Sequence, residues 1–335
     1  MVFKRLLGSL GVGAPTVDTV LQPDPVLPGG TLTGQVHLKG GQADFDIEHI
    51  TLELVARVEA EHEDGESEGV VVFDRFTVGG GFRLGAEASH SVPFDVTLPW
   101  ETPITELYGQ PLGIVLGVRT ELAVAGAKDK GDLDPLTVTA LPVQEAVLEA
   151  FGQLGFGFRS ADLEYGHIGG TGQRLPFYQE IELAPAPQYA HQLNEIEVTF
   201  LTGPGGLEVV LEGDKRGGFL SPGQDAVTRF AVGHHDARDW AAEVDGWVRQ
   251  LVEHRATYGV GAAYGHGAPF TDHGQHGHGG HHHDEHHRSG PGAGTAIAAG
   301  AAGLAVGVVG GMVAAEVVDE VGDFFEGDDE GEGED

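Results

Sequence analysis

Thr31-Leu-Thr-Gly-Gln-Val-His-Leu38 places Leu32, Val36 and Leu38 at alternate positions, with Thr33, Gln35 and His37 between them. That period of two belongs to a strand with one buried face. Working outward, Gly40-Gly41 turns the chain, and Ile50-Thr-Leu-Glu-Leu-Val-Ala-Arg-Val58 alternates again. Its charged positions, Glu53 and Arg57, are expected on the solvent face. Upstream, Thr16-Val-Asp-Thr-Val-Leu21 is a short strand, separated from Thr31 by the breaker run Gln22-Pro-Asp-Pro-Val-Leu-Pro-Gly-Gly30. Downstream, an acidic loop over Glu59 to Glu68 precedes the strands Val70–Val78 and His90–Leu98. Strands at a spacing of about 8–12 residues with Gly/Pro turns predict a β-sandwich.

The Pro99-Trp-Glu-Thr-Pro103 stretch closes that series. Two further strands follow, Leu112–Val118 and Thr120–Ala125, and then a charged joint, Lys128-Asp-Lys-Gly-Asp-Leu-Asp-Pro135. Beyond it Val143, Ala146, Val147, Ala150, Phe151 and Leu154 recur at helical spacing, predicting an amphipathic helix over Pro142–Leu154 packed on a sheet. Strands are expected near Phe156–Ser160 and at Pro176–Leu183, Glu195–Leu201, Leu207–Glu212 and Ala226–Val232. Trp240, Val244, Trp247, Val248 and Leu251 then form an apolar stripe on a helix ending near His254. The expected organisation is an N-terminal amphipathic helix over 1–13, β domains over 14–130 and 131–234, and a helix over 235–258. A His/Gly-rich linker over 259–294, an Ala/Gly-rich apolar segment over 295–318 and an acidic tail over 319–335 complete it. The linker and the tail have too little apolar content to build a core and are expected to be disordered.

Composition excludes several function classes. With 18 Lys+Arg against 52 Asp+Glu the net charge is −34, which repels phosphate backbones and anionic membrane surfaces. Neither nucleic acid nor membrane is therefore an expected partner. Cysteine is absent, which removes disulfides, thiolate zinc sites and cysteine nucleophiles and suits a cytoplasmic protein. The Met1–Leu10 stretch lacks the apolar core of a secretory signal. There is no Gly-x-Ser-x-Gly elbow, no phosphate-binding Walker loop and no distinctive carboxylate pair, so no catalytic residues are assigned and the chain is read as a non-enzyme.

Three regions carry candidate chemistry. Phe3, Lys4, Arg5, Leu6 and Leu7 form a short basic and apolar face, suited to packing on the sandwich or meeting a partner. Trp240 and Trp247 serve either the core or a partner or dimer face, since tryptophan is enriched in binding hot spots. His273, His276, His278, His281, His282, His283, His286 and His287 offer overlapping imidazole ligand sets for Zn²⁺ or Ni²⁺, without the fixed geometry of a structural zinc site. They could equally be a solvated linker or sense pH. The uncharged run Ala296–Ala315 carries Gly303, Gly307 and Gly311 at the spacing of close helix packing.

Several separated blocks resemble one family. Phe3-Lys-Arg-Leu-Leu-Gly-Ser-Leu-Gly-Val-Gly13 running into Val17–Leu21 and the Pro28-Gly29 turn is the first. Arg119-Thr-Glu-Leu122 followed by Asp129–Pro135 is the second. Phe158-Arg-Ser-Ala-Asp-Leu-Glu-Tyr165 leading to Leu175-Pro-Phe-Tyr-Gln-Glu-Ile-Glu182 is the most specific. Together, over residues 1–255, these resemble the bacterial sporulation-control family. The resemblance implies a mainly β fold of two tandem arrestin-like β-sandwich domains. It also implies a non-enzymatic regulatory adaptor or scaffold that binds proteins, with cell-division or cytoskeletal partners and homo-oligomers among the expectations. The alternative, from the histidine run, is a Zn or Ni buffering protein.

Overall fold

The structure, a computed structural model, describes residues 13–62, 65–125, 130–213 and 227–261. Fourteen strands and two helices follow in the order β1 (Thr16–Leu21), β2 (Thr31–Lys39), β3 (Phe45–His62), β4 (Gly65–Leu84), β5 (Ser89–Thr97), β6 (Glu106–Leu107), β7 (Gln110–Pro111), β8 (Leu116–Val124), β9 (Lys130–Pro135), α1 (Pro142–Gln153), β10 (Gly157–Tyr165), β11 (Phe177–Ala184), β12 (Ile196–Gly203), β13 (Gly206–Gly213), β14 (Thr228–Val232) and α2 (Trp240–Gly261). Strands β1-β2-β5 form one sheet, and β14-β13-β12-β11-β10-β3-β8-β9 form a second, with β4 also paired to β3.

The opening strand behaves as its alternation predicts. Leu32, Val36 and Leu38 of β2 are almost wholly buried while Thr31, Thr33 and Gln35 are exposed. Gly34, at the remaining inward position, stands opposite Phe94 of β5, and a Cβ there would lie 2.6 Å from the Phe94 ring. The glycine vacates the space that the aromatic ring fills, an arrangement that stabilises sheets. On β3 the inward positions Ile50, Leu52, Leu54, Ala56 and Val58 belong to the same hydrophobic core as β2. Each Ile, Leu or Val side chain among them contributes roughly 1.5–3 kcal/mol when fully buried.

Four local expectations are corrected. Glu53 is not on a solvent face: it is 1% exposed, flanked by Arg75 and Arg119 on the neighbouring strands. Glu59–Glu68 is no loop, because β3 and β4 continue their pairing through Glu59↔Glu68 and on to His62↔Gly65. Leu112–Val118 and Thr120–Ala125 do not form two strands. A single strand, β8, runs through Arg119, which lies mid-strand opposite Glu53. In the charged segment expected to be a joint, Lys130–Pro135 is β9, paired antiparallel with β8. In each case long-range pairing overrides a local reading of polarity.

The second half of the chain hangs on β3. Strand β10 meets it in parallel through Glu164↔Glu59, and β11 to β14 follow as an antiparallel meander. Helix α1 buries Val143, Val147, Ala150 and Phe151, and the Gln144 side chain accepts the N–H of Leu141 at its start. Helix α2 packs against α1 and against β13 and β14. Trp247 stacks on Phe230 at 4.8 Å, and Val244, Val248 and Leu251 are fully buried.

Candidate docking groove between two sheet edges

The two sheets of the first half meet along two seams. At one, β1 is stitched to the far sheet: the Thr19 N–H donates to Asp132 Oδ2 at 2.6 Å, and the Thr19 and Thr120 hydroxyls lie 2.7 Å apart. Burial, followed by the charges of Asp132 and Asp18, pushes the Asp134 carboxyl up to about 7. Burial also raises Asp132. This seam is polar and closed.

The other seam lies between β4 and β5. These strands belong to different sheets, and each is an edge: β4 pairs with β3, and β5 pairs with β2. Near the turn that joins them the seam is shut. Phe82 and His90 pack ring against ring at 4.6 Å, and a Cβ on Gly79 would sit 3.2 Å from Val92 Cγ1. Further from the turn it opens into a groove of about 570 Å³ lined by Arg75, Phe76, Thr77 and Val78 on one wall and Pro93, Phe94, Asp95 and Val96 on the other.

Two devices bound how the groove can be used. Strand β4 carries irregularities where Phe73 and Val78 have no partner in the register with β3. Pro93 removes a donor from β5. Bulges and prolines on edges suppress indiscriminate strand pairing, leaving a short stretch around Asp74–Thr77 with regular geometry. The Phe73 bulge also re-aims its ring, which meets Phe177 of β11 edge-to-face at 5.5 Å.

Behind the groove wall Glu53 accepts from Nε of Arg119 at 2.7 Å and pairs with Nε of Arg75 at 2.5 Å. Arg75 is 64% exposed and Arg119 13%, so one arginine closes the pair from water and the other extends to the groove. The second half is fixed to the first close by. The Gln179 side-chain amide accepts from the Ile104 N–H at 3.0 Å and donates to the Ile104 carbonyl at 2.9 Å. Glu101 accepts the N–H groups of Arg174 and Leu175 at 2.7 and 2.8 Å. The Trp100 ring lies 5.1 Å from that of His234.

The outer face of β10–β13 is densely acidic. Glu182↔Glu197 and Glu197↔Glu212 stand in register, with Asp162↔Glu180 in the next row. Burial, reinforced by the neighbouring carboxylates, pushes Glu180 up to about 9 and Glu197 up to about 8.

Of the residues singled out from sequence, Trp247 is buried and Trp240 half-buried, edge-on to Trp247 at 6.3 Å with Arg238 over its face at 5.5 Å. Phe3, Lys4, Arg5, Leu6 and Leu7 lie outside the described residues, as do the histidines from His273 to His287, the Ala296–Ala315 run and the acidic tail. Among the described residues no three or more His, Asp or Glu side chains are grouped to hold a metal ion, and no helix is long and apolar enough to cross a membrane. The groove itself was missed from sequence. Its traces were Pro93 inside a strand and the Asp74-Arg75 pair interrupting the apolar run Val70–Val78.

The fold thus defines a mainly β protein whose two halves share a continuous sheet and whose first half offers an open groove between strand edges. The chain belongs to the SpoOM protein family, whose model matches residues 3–217. It is 40% identical over 215 residues to the sporulation-control protein spo0M of Bacillus subtilis (strain 168), covering 64% of this chain and 81% of that protein. The crystal structure of Spo0M, sporulation control protein, from Bacillus subtilis is similar with a TM-score of 0.58 and 33% identity, over 76% of this chain and 100% of that one.

Proposed function

We propose that this chain is a non-enzymatic regulatory adaptor in sporulation-related control, built as two tandem arrestin-like lobes, that docks a short extended segment of a cytoplasmic protein partner in the β4/β5 groove. The observation that carries the reading is the pair of free strand edges flanking the groove. Such edges supply main-chain donors and acceptors to an added segment, and flanking pockets take its alternate side chains. Family membership supports the regulatory role. Neither lipid nor nucleic acid suits the net charge of −34.

The test is capture of partners from the native cell with the full chain, comparing wild type, Thr77→Arg in the groove and Glu149→Arg on the exposed face of α1. The expected result is a specific partner lost with Thr77→Arg and kept with Glu149→Arg. Equal capture by all three overturns the groove assignment.

A further inference from the structure

The main-chain groups that the groove offers follow from the two ladders behind it. On the β5 side the Leu98 N–H donates to the Gly30 carbonyl at 2.8 Å, and the Ala88 carbonyl accepts the Gly40 N–H at 2.7 Å. Between them the pairing runs from Thr31↔Thr97 to Lys39↔Ser89 without a shift. Residues that bond across an antiparallel ladder alternate with residues whose main chain faces away. Phe94 and Val96 therefore bond to β2, and Pro93 and Asp95 turn their main chain to the free edge. On the β4 side the Arg57 N–H donates to the Val115 carbonyl at 3.1 Å. Glu53 and Val55 thus share the β8 side with Arg57, and Leu52 and Leu54 bond to β4. Their partners there are Phe76 and Asp74, which leaves Arg75 and Thr77 facing the groove.

Two of these outward positions offer no donor. Pro93 has no N–H, and at an outward position it costs the β2 ladder nothing. The Arg75 N–H is taken by Asp74 Oδ1 at 2.8 Å. Thr77 and Asp95 keep both groups, whereas Pro93 and Arg75 present only a carbonyl. The wall is thus richer in acceptors than in donors. The side chains lean the same way. Asp95 is exposed on the β5 wall, and Arg75, the cation of the lining, is paired through Nε with the buried Glu53. Phe94 and Val96 are buried in the core and Phe76 and Val78 are packed against it, so little apolar surface is left to select an occupant.

A segment that supplies donors and positive charge suits such a wall. Lysine and arginine side chains carry donors and no acceptor, and charge complementarity of this kind sets partner choice and encounter rate. The net charge of −34 draws a basic segment in from a distance. A second copy of the same wall would bring the same excess of acceptors and is disfavoured.

We infer that the segment docked in the β4/β5 groove is basic, its lysine or arginine side chains answering the Asp95 carboxylate and the unpaired carbonyls of Pro93 and Arg75. This rests on the reading of the groove as a docking site and adds the chemistry of its partner.

The probe is a fluorescein-labelled peptide of alternating threonine and lysine, with a threonine/glutamate peptide as counterpart, added to the full chain. Fluorescence anisotropy is expected to show the lysine peptide bound, several-fold more weakly to Asp95→Lys and equally well to Glu149→Lys, which changes the net charge by the same amount from the exposed face of α1. No binding of the lysine peptide, equal weakening by both variants, or equal binding of the glutamate peptide overturns the inference. The chain contains no cysteine, so Thr77→Cys and Glu149→Cys each report a single thiol. The lysine peptide is expected to slow maleimide labelling of the first several-fold and to spare the second. Unchanged labelling of Thr77→Cys by a peptide that binds also overturns it. The outcomes separate from those of the adaptor reading. A partner captured from the native cell that Thr77→Arg removes and Asp95→Lys leaves would sink the basic segment and keep the docking site. Protection of Thr77→Cys without any captured partner would do the reverse.

Discussion

Arg119 of β8 donates from Nε to Oε2 of Glu53 on β3 at 2.7 Å, and the carboxylate that accepts it is 1% exposed. Arg75 of β4 binds the other carboxylate oxygen from the opposite strand. One buried anion thus ties three strands at the wall of the groove. Replacing Glu53 by Ala leaves the largely buried Arg119 with only the more exposed Glu121, 3.9 Å away, as a counter-charge. Breaking a buried pair in this way costs about 3–5 kcal/mol, so denaturant unfolding of Glu53→Ala is expected to show a loss of that size. Arg75→Ala, at a largely exposed position, should lose no more than about 1 kcal/mol. Equal losses for the two would show that burial does not set the strength of the row.

Gly29 lies at φ +70°, and a Cβ there would sit 2.5 Å from the Trp100 ring. Gly29→Ala is expected to destabilise by about 1–3 kcal/mol, through backbone strain and a ring that must move. Because Trp100 faces His234, the same change should shift Trp100 fluorescence, read in a background carrying Trp240→Phe and Trp247→Phe, which leaves Trp100 as the single tryptophan. An unmoved spectrum would show that the ring keeps its seat.

Stability should fall as pH rises. Asp134 is raised to about 7, Glu197 to about 8 and Glu180 to about 9, against ordinary values of 3.8 for Asp and 4.5 for Glu. The folded chain therefore holds protons that the unfolded chain has released. The sign follows: their destabilisation is absent near pH 4 and grows as pH rises towards 9. Calorimetry is expected to give a higher Tm near pH 5.5 than near pH 8.5, with Glu180→Gln flattening the slope. A Tm that rises across this range would contradict the acidic face as described.

Gln179 joins the two halves through both polar atoms of its amide. Gln179→Leu removes two hydrogen bonds to Ile104, each with a net value of about 1 kcal/mol. Faster amide exchange at Ile104 is expected, without comparable change in α1. Uniform acceleration would instead mean that the whole fold had loosened.

The alternation of β2 read its buried face correctly at Leu32, Val36 and Leu38, and the helical spacing from Val143 to Phe151 located α1. Both are local periodicities, and one buried face suffices to print them on the chain. Glu53 was misread for the same reason. In an alternating strand a charged residue marks the outer face, and nothing local says that two arginines will close over it. Its partner Arg119 is 66 positions away.

The sequence by itself determined the alternating strands such as β2 with their apolar face, the helical stripe of α1, and the family to which the blocks from Phe3 to Glu182 belong. Only the tertiary structure decided that β4 and β5 end as neighbouring edges, that their seam is shut at Phe82 and His90, and that it opens at Arg75–Val78. Period and polarity are properties of consecutive residues, whereas a groove exists only where two edges brought together by distant pairings fail to meet.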